Sequence, residues 1–138
     1  MPEKRKGSTP QAAHRQQLGR WGEDMAAAYL VQHGLRELAR NVRTPFGEID
    51  LVMEQGDGIE LTVVFVEVKT RRGASFGLPE EAVTLRKQQH MFNAAQHILQ
   101  NLPEYPENWR MDVVAIRLRQ ADQDPEIIWF ENALTLVP

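Results

Sequence analysis

Two apolar segments that contain charged residues constrain the fold of this chain more than any other feature. Residues 47–52 are Gly-Glu-Ile-Asp-Leu-Val, and residues 63–69 are Val-Val-Phe-Val-Glu-Val-Lys. Runs of β-branched and aromatic residues of this length are typical of buried strands. Charged groups removed from water are costly unless they are paired or bind a metal ion. Asp50, Glu67 and Lys69 are therefore the strongest candidates for a chemical site.

The connection between the two segments predicts how they pair. Residues 57–58 are Asp-Gly, and this pair between apolar runs is the strongest short-range signal for a two-residue hairpin turn. With that turn, Asp50 faces Phe65. Glu48 then faces Glu67, and Asp50 becomes the diagonal neighbour of Glu67 on the same face, roughly 7–8 Å away. A one-residue bulge would change this pairing.

The alternation of side chains along a strand places Glu67 and Lys69 on one face and the intervening valines on the other. Carboxylate oxygens suit a hard cation such as Mg²⁺ or Mn²⁺, which keeps several waters and also binds substrate phosphate. Such an ion would orient a water for attack on phosphorus, with the Lys69 ammonium beside the water or the phosphate. The alternative is a structural ion pair at the end of a strand.

A further acid, Glu23, lies in a helix predicted over residues 15–34. The residues three and four positions away from it on that helix are small: Gly19, Ala26 and Ala27. Another backbone can approach this stripe closely, so the Glu23 carboxylate could reach a metal-bound water or a second cation. The alternative is that Glu23 only interacts with the positive end of the helix dipole.

The distribution of basic residues bears on the class of partner. The net charge is −3, which alone argues against a nucleic-acid partner. Basic residues nevertheless follow the proposed site and begin the second long helix, so we expect a positive rim that binds a phosphate backbone. The alternative is an ordinary mixed surface. The candidates for this rim are Arg71, Arg72, Arg86 and Lys87, with Gln88 as a further phosphate ligand.

Several motifs together resemble one known family. They are Gly-x-x-Gly-Glu-x-x-Ala at 19–26, Gly-Glu-Ile-Asp-Leu-Val at 47–52, Val-Phe-Val-Glu-Val-Lys-Thr-Arg at 64–71 and Arg-Met-Asp-Val-Val at 110–114. With them the chain resembles the YraN-like family of bacterial proteins, which is similar to archaeal Holliday-junction resolvases and to the PD-(D/E)XK nuclease superfamily. The resemblance spans nearly the whole chain after about residue 15 and implies a restriction-endonuclease-like fold.

The resemblance also implies roles for individual residues. Asp50 and Glu67 would be metal ligands, with the Val68 carbonyl as a third ligand, and Lys69 would be the catalytic lysine. Glu23 would be the helix acid seen in resolvase-like members, and it is a further catalytic and metal-binding candidate. A secondary candidate is Glu48.

The function implied is metal-dependent hydrolysis of DNA, including branched or structured DNA. Resolvase-like relatives act as dimers, so a homodimer is one expectation. The nuclease fold also hosts members that bind without cutting. A nucleic-acid-binding module or adaptor without catalysis is therefore the alternative function.

Composition and pattern predict one α/β domain over residues 15–138, preceded by a flexible arm over residues 1–14 in which Pro10 is among the structure-breaking residues. We expect a mixed sheet of about five strands flanked by helices. No stretch approaches the roughly 18 apolar residues of a membrane span, and the chain has 0 cysteines, which excludes disulfides and thiolate zinc sites. A cytoplasmic location without membrane partners is the simplest expectation.

Overall fold

A computed structural model describes residues 9–72, 83–120 and 123–134. Within them, the strands form one mixed sheet in the order β1-β2-β3-β4-β5, where β3 and β4 are parallel and the other neighbours antiparallel. The elements are α1 (Pro10–Gln32), β1 (Arg36–Thr44), β2 (Gly47–Gln55), β3 (Thr62–Arg72), α2 (Leu85–Gln100), β4 (Asn108–Leu118) and β5 (Glu126–Phe130). The predicted α/β fold, a mixed sheet of about five strands flanked by helices, is confirmed.

The first helix begins earlier than the sequence pattern indicated. α1 begins at Pro10, whereas we predicted a start at residue 15 and a structure-breaking role for this proline. The Thr9 side chain accepts a hydrogen bond from the Ala12 N–H at 3.1 Å, and proline is well tolerated at the first helical position. The predicted arm therefore overlaps the helix at residues 10–14, and residues 1–8 lie outside the described residues.

The sheet is packed between α1 and α2. Alternate residues of β3 belong to two different cores, since Phe65 packs on the side of α2 and Val66 on the side of α1. The main contributions of α2 are Met91, Ala94, Ala95 and Leu99, and those of α1 are Ala26, Ala27 and Leu30. The same alternation continues along β3. Glu67 contacts Lys87 of α2, whereas Val68 packs against the core on the side of α1.

The hairpin between β2 and β3 differs from the predicted two-residue turn, which was wrong. Gln55 pairs with Thr62, and the loop between them contains a short 3₁₀ turn. Val52 therefore pairs with Phe65, whereas the tight turn would have paired it with Val63. Because this shift is an even number of residues, the side chains of β3 keep their predicted faces.

β3 extends to Arg72, so the basic residues Arg71 and Arg72 lie at the end of this strand. In the part of the chain that the structure describes, no helix is both long enough and apolar enough to cross a membrane.

Candidate active site

The site lies where β2 and β3 separate. Their paired residues end at Leu51 and Val66, and just beyond this pair the Asp50 carboxylate accepts a hydrogen bond from the Val68 N–H at 2.8 Å. The carboxylate thus replaces the backbone acceptor that a neighbouring strand would otherwise supply. Asp50 and Glu67 both lie just beyond this last pair, outside the ladder in which they were predicted to be diagonal neighbours, and both line the same pocket.

The Glu67 carboxylate is the centre of the charge cluster. Glu67 is only 3% exposed, and its Oε1 lies 3.6 Å from the Lys69 Nζ. The Lys87 Nζ, which comes from the first turn of α2, contacts the same oxygen directly. The predicted convergence of Glu67 and Lys69 on one face is confirmed by this geometry, and it now includes a second lysine.

Burial and like charges perturb the titration of this cluster. Burial and the negative charge of Glu67 raise the pKa of Asp50 to about 7, despite the hydrogen bond from Val68. Burial and the neighbouring Lys87 lower the pKa of Lys69. Burial also opposes the charged form of Lys87, but the hydrogen bond and charge of Glu67 outweigh it, so the pKa of Lys87 is raised.

Glu23 brings a third carboxylate to the same pocket from α1. The pocket has a volume of about 310 Å³ and is lined by Glu23, Asp50 and Glu67 among others. The helix comes close because Gly22 faces β3, where an added Cβ would lie 2.2 Å from the Thr70 Oγ1. Burial raises the pKa of Glu23, although a hydrogen bond from a neighbouring asparagine opposes this shift.

That asparagine, Asn41, is a site residue that the sequence analysis missed. Its Nδ2 donates a hydrogen bond to the Glu23 Oε1 at 3.1 Å. Asn41 has a φ of 49°, a left-handed conformation in which asparagine is enriched. Neighbouring pairs of β1 and β2 place it across from Asp50. An asparagine within a strand pattern could have marked this position as unusual. Its hydrogen bond to Glu23 on α1 cannot be predicted from sequence spacing.

Comparison with known proteins gives the family. A family model described as "Uncharacterised protein family UPF0102" matches residues 22–116. The chain belongs to the UPF0102 family. A UPF0102 protein of Desulfitobacterium hafniense is 40% identical over 122 residues, which cover 86% of this chain and 97% of that protein. Another from Syntrophotalea carbinolica is 46% identical over 109 residues, covering 79% of this chain and 85% of that protein. The predicted YraN-like membership is confirmed, since UPF0102 is that family.

One solved structure shows a weak likeness to this UPF0102 chain. It is titled "The structure of Pyrococcus Furiosus SfsA in complex with Ca2+", and the TM-score is 0.39 at 13% sequence identity. The likeness covers 88% of this chain and 65% of that chain.

The residues predicted to form a basic rim in this UPF0102 protein do not all lie at the pocket. Arg71 and Lys87 line the pocket beside the acids. Arg72 lines a different cleft, and Arg86 is exposed on α2 without lining the pocket. Gln88 is buried, and its Nε2 donates to a backbone carbonyl just before α2 at 2.9 Å. In this structure Gln88 therefore stabilises the start of the helix.

Glu48, the secondary candidate, lies at the border of the site. It is exposed, and its Oε2 is 3.7 Å from the Arg43 Nε. With Glu67 and Lys87 it lines a small cleft next to the main pocket. Its negative charge contributes to the raised pKa of Glu23, after burial, which is the main cause.

The donor set fits a hard divalent cation with a small number of protein ligands. Among the described residues, no three histidine, cysteine or acidic side chains are close enough to form a complete metal centre. Asp50 and Glu67 nevertheless offer two hard oxygen donors in one pocket. Burial and the charge of Glu67 raise the pKa of Asp50 to about 7, and a bound cation would favour the ionised form of both acids. Mg²⁺ commonly uses one or two carboxylates and keeps several waters.

Proposed function

We propose that this UPF0102 protein is a metal-dependent endonuclease that hydrolyses phosphodiester bonds in DNA, branched or structured DNA included. The observation that carries the proposal is the convergence of Asp50, Glu67 and Lys69 where β2 and β3 separate. Acids that can hold a cation, a half-buried lysine and basic residues at the pocket wall are the groups that phosphodiester hydrolysis requires.

The acids would hold a divalent cation, Mg²⁺ or Mn²⁺. Asp50 and Glu67 would be direct ligands, the Val68 carbonyl a third, and Glu23 would bind through water or hold a second ion. When bound, the ion would supply Lewis-acid stabilisation of the phosphoryl oxygens and a water of lowered pKa. Mn²⁺ and Mg²⁺ share the preference for oxygen donors that this pocket offers.

The basic side chains would act on the phosphate and the attacking water. Lys69 lies beside Glu67, and its amine would orient that water or stabilise negative charge on the phosphoryl group. Arg71 and Lys87, which line the same pocket, would hold the non-bridging phosphate oxygens. Charge-assisted hydrogen bonds of this kind fix the phosphate for in-line attack.

A second candidate function is supported by the contact between Lys87 and Glu67. Two lysines next to one buried acid neutralise it without any cation, as an ion pair in a stable binding module would. Under this alternative the protein binds nucleic acid through its basic residues and does not cut it. Chelation of divalent ions would then leave its DNA affinity unchanged.

The test is cleavage of a panel of labelled DNAs: four-way junctions, single strands and linear duplexes, each with Mg²⁺, with Mn²⁺ and with a chelator. The wild-type protein is purified in parallel with Asp50→Asn and with Asp57→Asn. Asp57 is an exposed residue of the β2–β3 loop, so the second variant makes the same chemical change away from the site.

We expect cleavage that requires a divalent ion, is lost in Asp50→Asn and is retained in Asp57→Asn. Equal cleavage by both variants would indicate a contaminating nuclease. If the protein binds DNA with the same affinity in chelator and does not cut any substrate, the binding-module alternative replaces the nuclease proposal.

A further inference from the structure

A second basic cleft lies at the carboxyl ends of β3 and β4. It has a volume of about 720 Å³, more than twice that of the pocket that contains Asp50. Of its lining residues, only Arg72 was predicted from the sequence to bind nucleic acid. The lining residues are Arg72, Arg117, Leu118, Arg119, Gln120 and Gln123. We call this surface the arginine cleft.

The arginine cleft carries an excess of positive charge. The Glu126 Oε2 accepts hydrogen bonds from both Arg117 and Arg119, the latter at 3.0 Å. These hydrogen bonds lower the pKa of Glu126. Within the described chain, Arg72 has no ion pair with an acidic residue. Among the described residues that line the cleft, three are arginines and none is acidic, so the surface suits an external anion.

The cleft is connected to the candidate active site through β3. Arg71 lines the pocket with the acids, and Arg72 lines the arginine cleft, because successive side chains of a strand point to opposite sides. Arg72 follows Glu67 by five positions in the same strand. At a rise of about 3.3 Å per residue, the two backbone positions are about 16 Å apart.

We infer that the arginine cleft binds the phosphate backbone of the DNA on one side of the candidate active site. The backbone separation of Glu67 and Arg72 corresponds to roughly five base pairs at a rise of about 3.4 Å each, so a short duplex is long enough to reach both surfaces. Guanidinium groups match phosphate oxygens with paired hydrogen bonds, and the two glutamines can add neutral donors. The choice of DNA as the ligand rests on the proposed function. The cleft extends the footprint of the protein beyond the scissile phosphate.

The test measures DNA binding by the full-length chain in chelator, where no metal-dependent cleavage occurs. A labelled duplex of about 20 base pairs exceeds the inferred separation of the two contacts. Fluorescence anisotropy gives the dissociation constant at several salt concentrations for wild type, Arg72→Gln and Arg119→Gln. The matched control is Arg36→Gln, an equal charge change at the other end of the sheet, where Arg36 is paired with Glu54.

We expect Arg72→Gln and Arg119→Gln each to weaken binding by about three- to tenfold at low salt, and to reduce the slope of log affinity against log salt by about one. Arg36→Gln keeps the wild-type affinity and slope. Equal effects of all three variants, or no binding by wild type, would overturn the inference.

Two additional measurements separate the inference from related explanations. Competition with poly-L-glutamate tests for an acidic protein partner: if the arginine variants weaken binding of that polymer but not of DNA, the inference is overturned. The cleavage panel is read independently. If the arginine variants alter the salt slopes but the protein cuts no DNA, DNA binding by the arginine cleft is supported and the nuclease proposal is wrong. If the protein cuts DNA but the slopes are unchanged, the nuclease proposal is supported and the inference about the arginine cleft is overturned.

Discussion

The Asp50 carboxylate accepts a hydrogen bond from the Val68 backbone N–H at 2.8 Å, and this bond links two strands just beyond the last pair of their ladder. The acid is therefore fixed by the backbone of the strand that carries Glu67. An acid held in this way cannot move away from the neighbouring carboxylate, so its ionisation is costly in the metal-free protein.

The first prediction concerns Asp50→Asn in the metal-free protein. The asparagine oxygen can still accept a hydrogen bond from the Val68 N–H, and the variant removes a half-buried charge. Because the pKa of Asp50 is raised from 3.8 to about 7 by burial and by Glu67, the native state binds more protons than the unfolded state between these values. The contribution of Asp50 to the free energy of unfolding of the wild-type protein therefore decreases as the pH rises through that range.

We expect Asp50→Asn to be more stable than wild type at pH 8 by on the order of 2 kcal/mol, with the difference disappearing near pH 4. Urea denaturation in chelator at both pH values measures it, with Asp57→Asn as the control. A variant less stable than wild type at pH 8 would contradict the raised pKa of Asp50.

The second prediction concerns the pH dependence of divalent binding. An ionised Asp50 is required as a ligand, so Mn²⁺ must displace a proton below the pKa of about 7 that burial and Glu67 give this carboxyl. Affinity should be about tenfold lower at pH 6 than at pH 8, with proton release only at the lower pH. Titration calorimetry in two buffers of different ionisation enthalpy measures both. Binding that does not change with pH would exclude Asp50 as a ligand.

The third prediction concerns Lys87→Met. Lys87 contacts the buried carboxylate of Glu67, so its removal should destabilise the metal-free protein by about 1–3 kcal/mol, since Lys69 remains as a partner. The same variant should bind Mn²⁺ more tightly, because a competing positive charge is gone. The control is Arg86→Met, an equal charge loss on the neighbouring exposed residue. Weaker Mn²⁺ binding by Lys87→Met would show that this lysine supports the metal site instead.

The fourth prediction uses two glycines of α1. An added Cβ at Gly22 would lie 2.2 Å from the Thr70 Oγ1, whereas one at Gly19 meets nothing within 4 Å. Gly22→Ala should cost about 1–3 kcal/mol of unfolding free energy because it forces the helix away from β3. Gly19→Ala should stabilise by up to about 1 kcal/mol through helix propensity.

Removing the clashing hydroxyl tests the cause of the Gly22→Ala effect. Adding Thr70→Ala to that variant should recover most of the lost stability. Urea denaturation of the single and double variants gives the coupling energy. Additive losses would show that the close approach of α1 to β3 is not what limits this position.

The pairing of β2 with β3 shows how far local sequence could predict the site. The apolar alternation correctly placed Glu67 and Lys69 on one face, although the turn was wrong. The Asp-Gly signal did not reveal that the Arg36 side chain donates to the Gly56 carbonyl and pairs with Glu54. Arg36 belongs to β1, and its contacts are made to a β2–β3 loop that is longer than the predicted two-residue turn. The face prediction survived because an even shift of register preserves it.

Contacts between elements could not be predicted from spacing. Lys87 and Gln88 are adjacent in the sequence, yet one contacts Glu67 and the other is buried against a backbone carbonyl. Their directions follow from where α2 packs on the sheet, which depends on the apolar residues further along the helix. The hydrogen bond of Asn41 to Glu23 likewise depends on how α1 packs. Tertiary packing, not local pattern, assigns these side chains.

The central claim is that Asp50 and Glu67 together hold one divalent cation. The most direct measurement is anomalous diffraction from crystals of the wild-type protein grown with Mn²⁺ near pH 8. We predict an anomalous peak within about 2.5 Å of oxygens from both carboxylates, with the Lys87 ammonium displaced from Glu67. A peak elsewhere, or none while Lys87 keeps its contact with Glu67, would contradict the account.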